Sequence, residues 1–323
     1  MAEWLIEEGI GEHRAILLEG GEIRAARVDW PGALSAGQVE DAVLIARTAG
    51  SKRGTLRFAS GEEALVDGLP REASEGAPLR AVVTRSAIGE KGRAKRAQAR
   101  PTRDAPRPGP SLAARLRGEG GQVRVVNRFP GDWDELFAAA WTGTTAFRGG
   151  SLTLSPTPAM TLIDVDGDLP PAALALQAVP AIGEALRRFD LGGAIGIDFP
   201  SLESKQDRRA VDEALSAELA GWSHEKTAMN GFGFVQLVAR LERPSLLHRI
   251  LADPAGAAAR ALLRRAEAVA EPGALELAAP GAVLAAIRPD WREALARRTG
   301  RDLRLRDEPR LAWESATVQA VPL

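Results

Sequence analysis

The sequence has no cysteine and only three histidines, His13, His224 and His248, which are scattered rather than clustered. Disulfides and thiolate zinc sites are thereby excluded, and any metal must be held by oxygen. Oxygen ligands select hard cations, so magnesium is the expected ion, with manganese as the alternative and no zinc. No apolar run approaches the length of a bilayer crossing, and the opening MAEWLIEEGIGEHR is acidic, so a cytoplasmic protein without a membrane partner is expected. Aromatic residues are scarce in one long stretch, where Phe58 stands alone between Trp30 and Phe129.

Neither charge dominates the whole chain, whose formal net charge is -1, but the distribution is uneven. Between Arg80 and Arg117 eleven lysines and arginines face only Glu90 and Asp104. Such a concentration attracts a polyanion even on a nearly neutral molecule. Two readings stand: an RNA contact, or a solvated flexible linker, the latter supported by PTRDAPRPGP at 101–110.

At 323 residues and 45% hydrophobic content the chain buries a substantial core, divided into two or three units. The first thirty residues read as short strands, with EGGE as a hairpin turn. EDAVLIARTA, RGTLRFA, EEALVDGL and LRAVVTRSA follow as closely spaced strands, which predicts a small antiparallel barrel of OB type over 37–100. A basic, Pro-rich linker is placed at 101–117. Beyond it the pattern turns to α/β: DWDELFAAAWTG is a helix capped by Asp132, and SLTLSP and AMTLIDVD are strands. A helix that Pro180 should break or kink leads to the strand AIGIDF. The alternation then continues through KQDRRAVDEALSAELAGW to GFGFVQLVARL, the grammar of a sheet with crossover helices. Residues 118–250 form this core, and 257–323 a small α/β unit at the carboxyl terminus.

TLIDVDGD, Thr161 to Asp168, runs from apolar residues into three carboxylates at alternate positions, and GGAIGIDF ends its apolar run in Asp198. Side chains two apart on a strand share a face, so Asp164 and Asp166 project together. Ligands of α/β sheets bind at the carboxyl ends of strands, where Asp164 and Asp198 both fall. On neighbouring strands the two acids suit one shared divalent ion. Bland readings compete. Leu169 and Ala175 occupy the sixth and twelfth positions of the would-be calcium loop, which rejects an EF-hand. Asp166, Gly167 and Asp168 are compatible with a plain turn, and Asp198 with a helix cap, although Ser201 is the better cap candidate.

These residues resemble the ribonuclease E/G family. GGSLTLSPTPAMTLIDVDGD resembles its catalytic segment with an Ile-Asp-Val-Asn core, LGGAIGIDFPSLESKQDRRAVDEAL its next signature, and GFGFVQLVARLERPSLL the strand after that, in order over about 149–247. The resemblance implies an α/β (α+β) fold: an RNase H-like/DNase I-like mixed-sheet catalytic core, an inserted OB-fold RNA-binding barrel, and a small carboxyl-terminal domain. Residues 1–36 then supply strands of the RNase H-like subdomain. DWREALARRTGRDLRL resembles the family's carboxyl-terminal domain. AIGEKGRAKR resembles a Gly-x-Lys-Gly segment at the barrel's end, which makes Lys91 an RNA contact, with Arg93, Lys95 and Arg96 beside it.

Carried over by position, Asp164 and Asp198 match the two magnesium-binding aspartates, and Asp166 stands where the family has Asn. Arg240 and Arg243 fall in the family's arginine-bearing strand. Two family features are missing: the segment for a sensor of the RNA 5′ monophosphate is cut short, and the Cys-x-x-Cys zinc link is absent. A zinc-linked tetramer is excluded, while a homodimer stays open. The expected function is a magnesium-dependent endoribonuclease that cleaves single-stranded RNA with metal-activated water. Its alternative is a catalytically impaired RNA-binding protein on the same fold.

Overall fold

The computed structural model describes residues 2–90, 93–131 and 133–323. Lys91 and the helix cap Asp132 lie outside the described residues, and Arg93 is described by its backbone alone.

Strands β1 (Glu3–Glu8), β2 (His13–Glu19) and β3 (Glu22–Asp29) form an antiparallel meander. Gly20 and Gly21, with φ of 61° and 87°, make the two-residue turn between β2 and β3. Two successive positive φ values are what a primed hairpin turn demands, and glycine meets them without strain.

Next comes a closed five-stranded barrel of β4 (Val39–Arg47), β5 (Arg53–Arg57), β6 (Glu63–Asp67), β7 (Pro78–Arg85) and a last strand described below. A short hairpin, β8 (Ile88–Glu90) and β9 (Arg93–Lys95), interrupts the barrel before β10 (Ala97–Pro101) closes it by pairing with both β6 and β7. Alternate residues such as Leu44, Leu56, Ala64, Val66, Ala81 and Ala99 fill the interior. Phe58 joins them at 3% exposure.

The proline-rich segment is not a free linker. Arg107 bridges back to Val39, and Thr102 donates its N–H to the Arg80 carbonyl. Helix α1 (Leu112–Gly118) follows, its start capped by the Ser111 side chain, which accepts from the Ala114 N–H. Leu112 and Leu116 bury against Trp4, Ile6, Ala15 and Ala25 on one face of the first sheet. Composition suggested a linker because the two anchoring leucines are outnumbered by Pro, Gly and Arg. Strand β11 (Val123–Val125) then joins that sheet parallel to β1.

Helix α2 (Trp133–Thr142) leads to a six-stranded sheet of β12 (Thr144–Phe147), β13 (Gly150–Pro156), β14 (Thr161–Gly167), β15 (Gly193–Asp198), β16 (His224–Lys226) and β17 (Phe234–Ala239), in the order β12-β13-β14-β15-β17-β16. Helix α3 (Pro171–Arg188) crosses from β14 to β15, which pair in parallel. It runs through Pro180 as one helix, because Leu174, Ala175, Ala178, Val179, Ile182 and Leu186 make a continuous buried stripe. Helix α4 (Lys205–Glu218) is capped by Ser204 rather than Ser201; the Ser204 hydroxyl accepts from the N–H groups of Gln206 and Asp207. The crossover through α4 ends in β16, a three-residue strand too short to read from sequence. The β16–β17 hairpin then folds β17 back between β16 and β15, antiparallel to both.

One face of this sheet is buried. Leu152, Leu154, Ile163, Val165, Ile195, Ile197, Val235 and Leu237 pack with the helices, and Leu5, Ile16, Ala26 and Val28 of the first sheet belong to the same core. The opposite face, bearing Thr153, Asp164, Asp166 and Asp198, is exposed.

Helices α5 (Leu246–Ala252) and α6 (Pro254–Glu267) connect to a carboxyl-terminal sheet of β18 (Ala274–Ala279), β19 (Leu303–Asp307) and β20 (Thr317–Val321), with α7 (Gly281–Ala286) and α8 (Pro289–Thr299) between β18 and β19. Its core is Leu262, Leu263, Leu275, Leu277, Val283 and Leu295. Arg260 of α6 joins this unit to the first sheet. Its guanidinium lies 3.8 Å from the Trp30 ring centroid and 4.6 Å from that of Trp291, while its Nε donates to the Gly11 carbonyl. Ile88 and Gly89 of the barrel's hairpin dock on α5, where a side chain at Gly89 would collide with Ala252.

Candidate active site

The acids are positioned by strand register. Asp164 and Asp198 are direct partners across β14 and β15, so both carboxylates leave the same face of the sheet one strand spacing apart, about 4.8 Å. Asp166 lies one pleat further along β14, opposite Ser151. The alternation that sends Ile163, Val165 and Ile197 into the core sends the acids to solvent.

The carboxylates sense one another. Partial burial, the charges of Asp166 and Asp198, and a hydrogen bond to Asp166 all push the Asp164 carboxyl above the usual range for an aspartate, against one stabilising bond from the Val165 backbone. Crowded negative charge that disfavours its own ionisation is what a divalent cation relieves. Among the described residues no set of three or more His, Cys, Asp or Glu converges as a metal cluster. The register instead delivers a pair, Asp164 and Asp198, with Asp166 in hydrogen-bonding range. Magnesium accepts one or two carboxylates and completes its shell with water and phosphate oxygens, so the residues present fit that ion.

Among the described residues, the expected Arg240 and Arg243 do not gather around the acids. Asp198 pairs with Phe234 at one end of β17, whereas Ala239 at the other end pairs with Gly193. Arg240 and Arg243 thus lie beyond the far end, about 17 Å or more along the strand from the acids. Arg240 is 85% exposed and pairs with Glu242 at 2.7 Å. Arg243 is 20% exposed and engaged: its Nε donates to Asp190 Oδ2 at 2.6 Å, and Arg27 reaches the other oxygen of the same carboxylate at 3.3 Å. Asp190 itself has a positive φ of 55°. Arg243 therefore braces the α3–β15 connection.

The barrel's basic hairpin meets the core at that same far end, since Ser86 donates its N–H to the Glu242 carbonyl. Arg96 is exposed and lies 3.6 Å from Glu63, and Lys95 is half-buried. A cation that local pattern missed is Arg148, exposed in the β12–β13 turn. Gly150, the first residue of β13 after that turn, pairs with Gly167, the residue after Asp166. Nothing in a lone arginine signals this placement; it follows from pairing alone.

Fold and site together define an α/β protein that carries a solvent-open carboxylate pair on a mixed sheet, with a closed barrel alongside. Residues 143–240, the segment that builds this sheet from β12 to β17, match the Ribonuclease E/G family. Through this segment the chain is similar to that family. It is 28% identical over 151 residues to Ribonuclease G of Escherichia coli (strain K12) and to that of Shigella flexneri. Against Ribonuclease G of Salmonella typhimurium (strain SL1344) the identity is 29% over 151 residues. Each match covers 43% of this chain and 30% of the relative's own length.

Proposed function

We propose that the protein is a magnesium-dependent endoribonuclease acting on single-stranded RNA. The observation that carries this reading is the register pairing of Asp164 with Asp198 on an open sheet face inside the family-matched segment. Asp164 and Asp198 would hold the ion. Bound there, magnesium supplies neutralisation of phosphodiester charge and a water of lowered pKa. Asp166 stands one pleat away to orient that water, and the buried Ile163, Val165 and Ile197 beneath fix all three acids to a rigid sheet.

Single-stranded RNA is favoured by the barrel. Numbered within the barrel, its strands close in the order 1-2-3-5-4, an OB-type arrangement, and such barrels track unpaired strands. The RNase H-like description of the core rests on family resemblance. In support of substrate charge, the sequence around the barrel's last strands is basic, and Lys95 and Arg96 lie in and just after β9. With Phe58 inside the barrel, its RNA affinity rests on charge rather than stacking there. The deciding experiment is cleavage of a single-stranded oligoribonucleotide with and without magnesium by the wild type and Asp198→Asn. Magnesium-dependent cleavage lost in the variant supports the site; undiminished cleavage by the variant removes it.

The presence of Asp166 where the family has Asn favours a second reading, an RNA-binding protein with impaired catalysis. Equal RNA affinity in EDTA and magnesium with no cleavage would select it.

A further inference from the structure

The open face of the six-stranded sheet carries more than the acids. Following the register across it gives one row, Thr153, Asp164, Asp198 and Phe234, on four adjacent strands. We propose that Phe234 and the neighbouring Phe232 form a base-stacking platform for the nucleotide adjoining the scissile phosphate, an inference that rests on the nuclease reading of the acids.

Three observations converge on these rings. Phe234 pairs directly with Asp198, so its side chain leaves the same face of the sheet as the carboxylate. Its ring lies over Gly196: a Cβ there would stand 2.5 Å from Phe234 Cζ and 2.9 Å from Met160 Sδ. Glycine in a central strand marks such a close approach, and here it makes room for the aromatic ring on the open face. Phe232 is 82% exposed, and its presentation is built rather than incidental. Asn230 Oδ1 accepts from the N–H groups of both Phe232 (2.9 Å) and Phe234 (3.1 Å), which braces the turn. Gly233, with φ of 86°, sits so close to the Phe199 carbonyl that no larger residue fits.

Single exposed apolar residues are ordinary, and Phe232 alone would carry nothing. Two phenylalanines in a braced turn, one of them a register partner of the metal-site acid, have a specific chemical use. A base is the occupant that fits. When a phosphate lies over Asp164 and Asp198, the attached nucleotide must place its base within about one or two strand spacings, and Phe234 and Phe232 lie there. Every base has a π face, so the platform tolerates any sequence. The aromatic contact that the barrel does not present, because Phe58 is buried, is thereby moved beside the acids.

The test uses full-length protein carrying Asp198→Asn, so that RNA stays intact, with fluorescence anisotropy of a labelled single-stranded oligoribonucleotide in magnesium. Phe232→Ala in that background should weaken binding about five- to 150-fold, the range for loss of one base–aromatic stack. Phe232→Trp should bind within about twofold of the parent, and an oligonucleotide of abasic residues should bind the Phe and Ala forms equally. Phe232→Ala that changes nothing, including in a protein that binds no RNA, overturns the platform. The nuclease reading is judged separately by cleavage in the Asp198 wild type. Cleavage with Phe232→Ala binding unaltered removes the platform alone, and Phe232-dependent binding without cleavage removes the nuclease reading while the platform stands.

Discussion

Asp164 and Asp198 face each other across β14 and β15, the parallel strand pair of the six-stranded sheet, where partial burial and the charges of Asp166 and Asp198 push the Asp164 carboxyl up. On the proposed nuclease reading, that relationship couples catalysis to stability with opposite signs. In the metal-free protein the Asp164 proton is held more tightly than in an unfolded chain. Where Asp164 is ionised, the neighbouring negative charge disfavours folding; the penalty lifts as pH falls through the raised pKa of Asp164. Asp198→Asn should abolish cleavage by about 100-fold or more, through lost metal binding. In EDTA at neutral pH the same variant should melt higher, by on the order of 1 °C, and this gain should shrink as pH falls. A melting point lowered at neutral pH would contradict the mutual repulsion.

Asp166→Asn replaces the residue this chain carries with the one found in the family motif. It removes a charge that both repels phosphate and pushes up the Asp164 carboxyl. At saturating magnesium, kcat/KM on RNA should rise by roughly tenfold, the effect of about 1.4 kcal/mol less repulsion. The magnesium concentration for half-maximal rate should rise as well, because the site has lost negative charge. A titration of rate against magnesium for both proteins reads the two effects separately.

Arg240 and Arg243 are three residues apart and should behave in opposite ways. Arg243→Met breaks the ion pair with Asp190 and leaves that carboxylate with Arg27 alone, in a partly buried site. The expected loss is about 2–3 kcal/mol of stability, with RNA affinity unchanged once the protein is folded. Arg240→Ala removes an exposed side chain and should alter stability by less than about 0.5 kcal/mol. Urea denaturation of both variants checks this contrast.

Much of the sheet was legible in sequence for a physical reason: β14 and β15 are short apolar runs whose acids appear where the strands end. Barrel strands β4 to β7 were legible through period-two patterning between turn residues. What escaped reading depends on partners distant in the chain. β16 is three residues long, β11 gains its place by pairing with β1, and α1 is anchored by two leucines whose pocket is built from the first sheet. The candidate site was half legible. Its acids stand in a local motif, but whether Arg243 faces RNA or an aspartate 53 residues away is decided by tertiary contact. Phe234 gained its position beside Asp198 through register alone.

Binding through the barrel should be largely electrostatic, because Phe58 is buried and the hairpin from Ile88 to Lys95 is basic. Each lysine or arginine that neutralises a phosphate releases a counterion, so the logarithm of affinity falls linearly with the logarithm of salt concentration. Lys95→Gln and Arg96→Gln should each lower the magnitude of that slope by roughly 0.7, the single-strand value per contact. Lys91→Gln should do the same if its side chain reaches the RNA backbone. Phe232→Ala should weaken binding while leaving the slope unchanged, since stacking releases no counterions. Measuring affinity for one single-stranded RNA between about 50 and 200 mM salt therefore separates the charged barrel from the aromatic turn. A slope that stays constant through all three charge substitutions would show that the RNA path avoids the barrel's hairpin altogether.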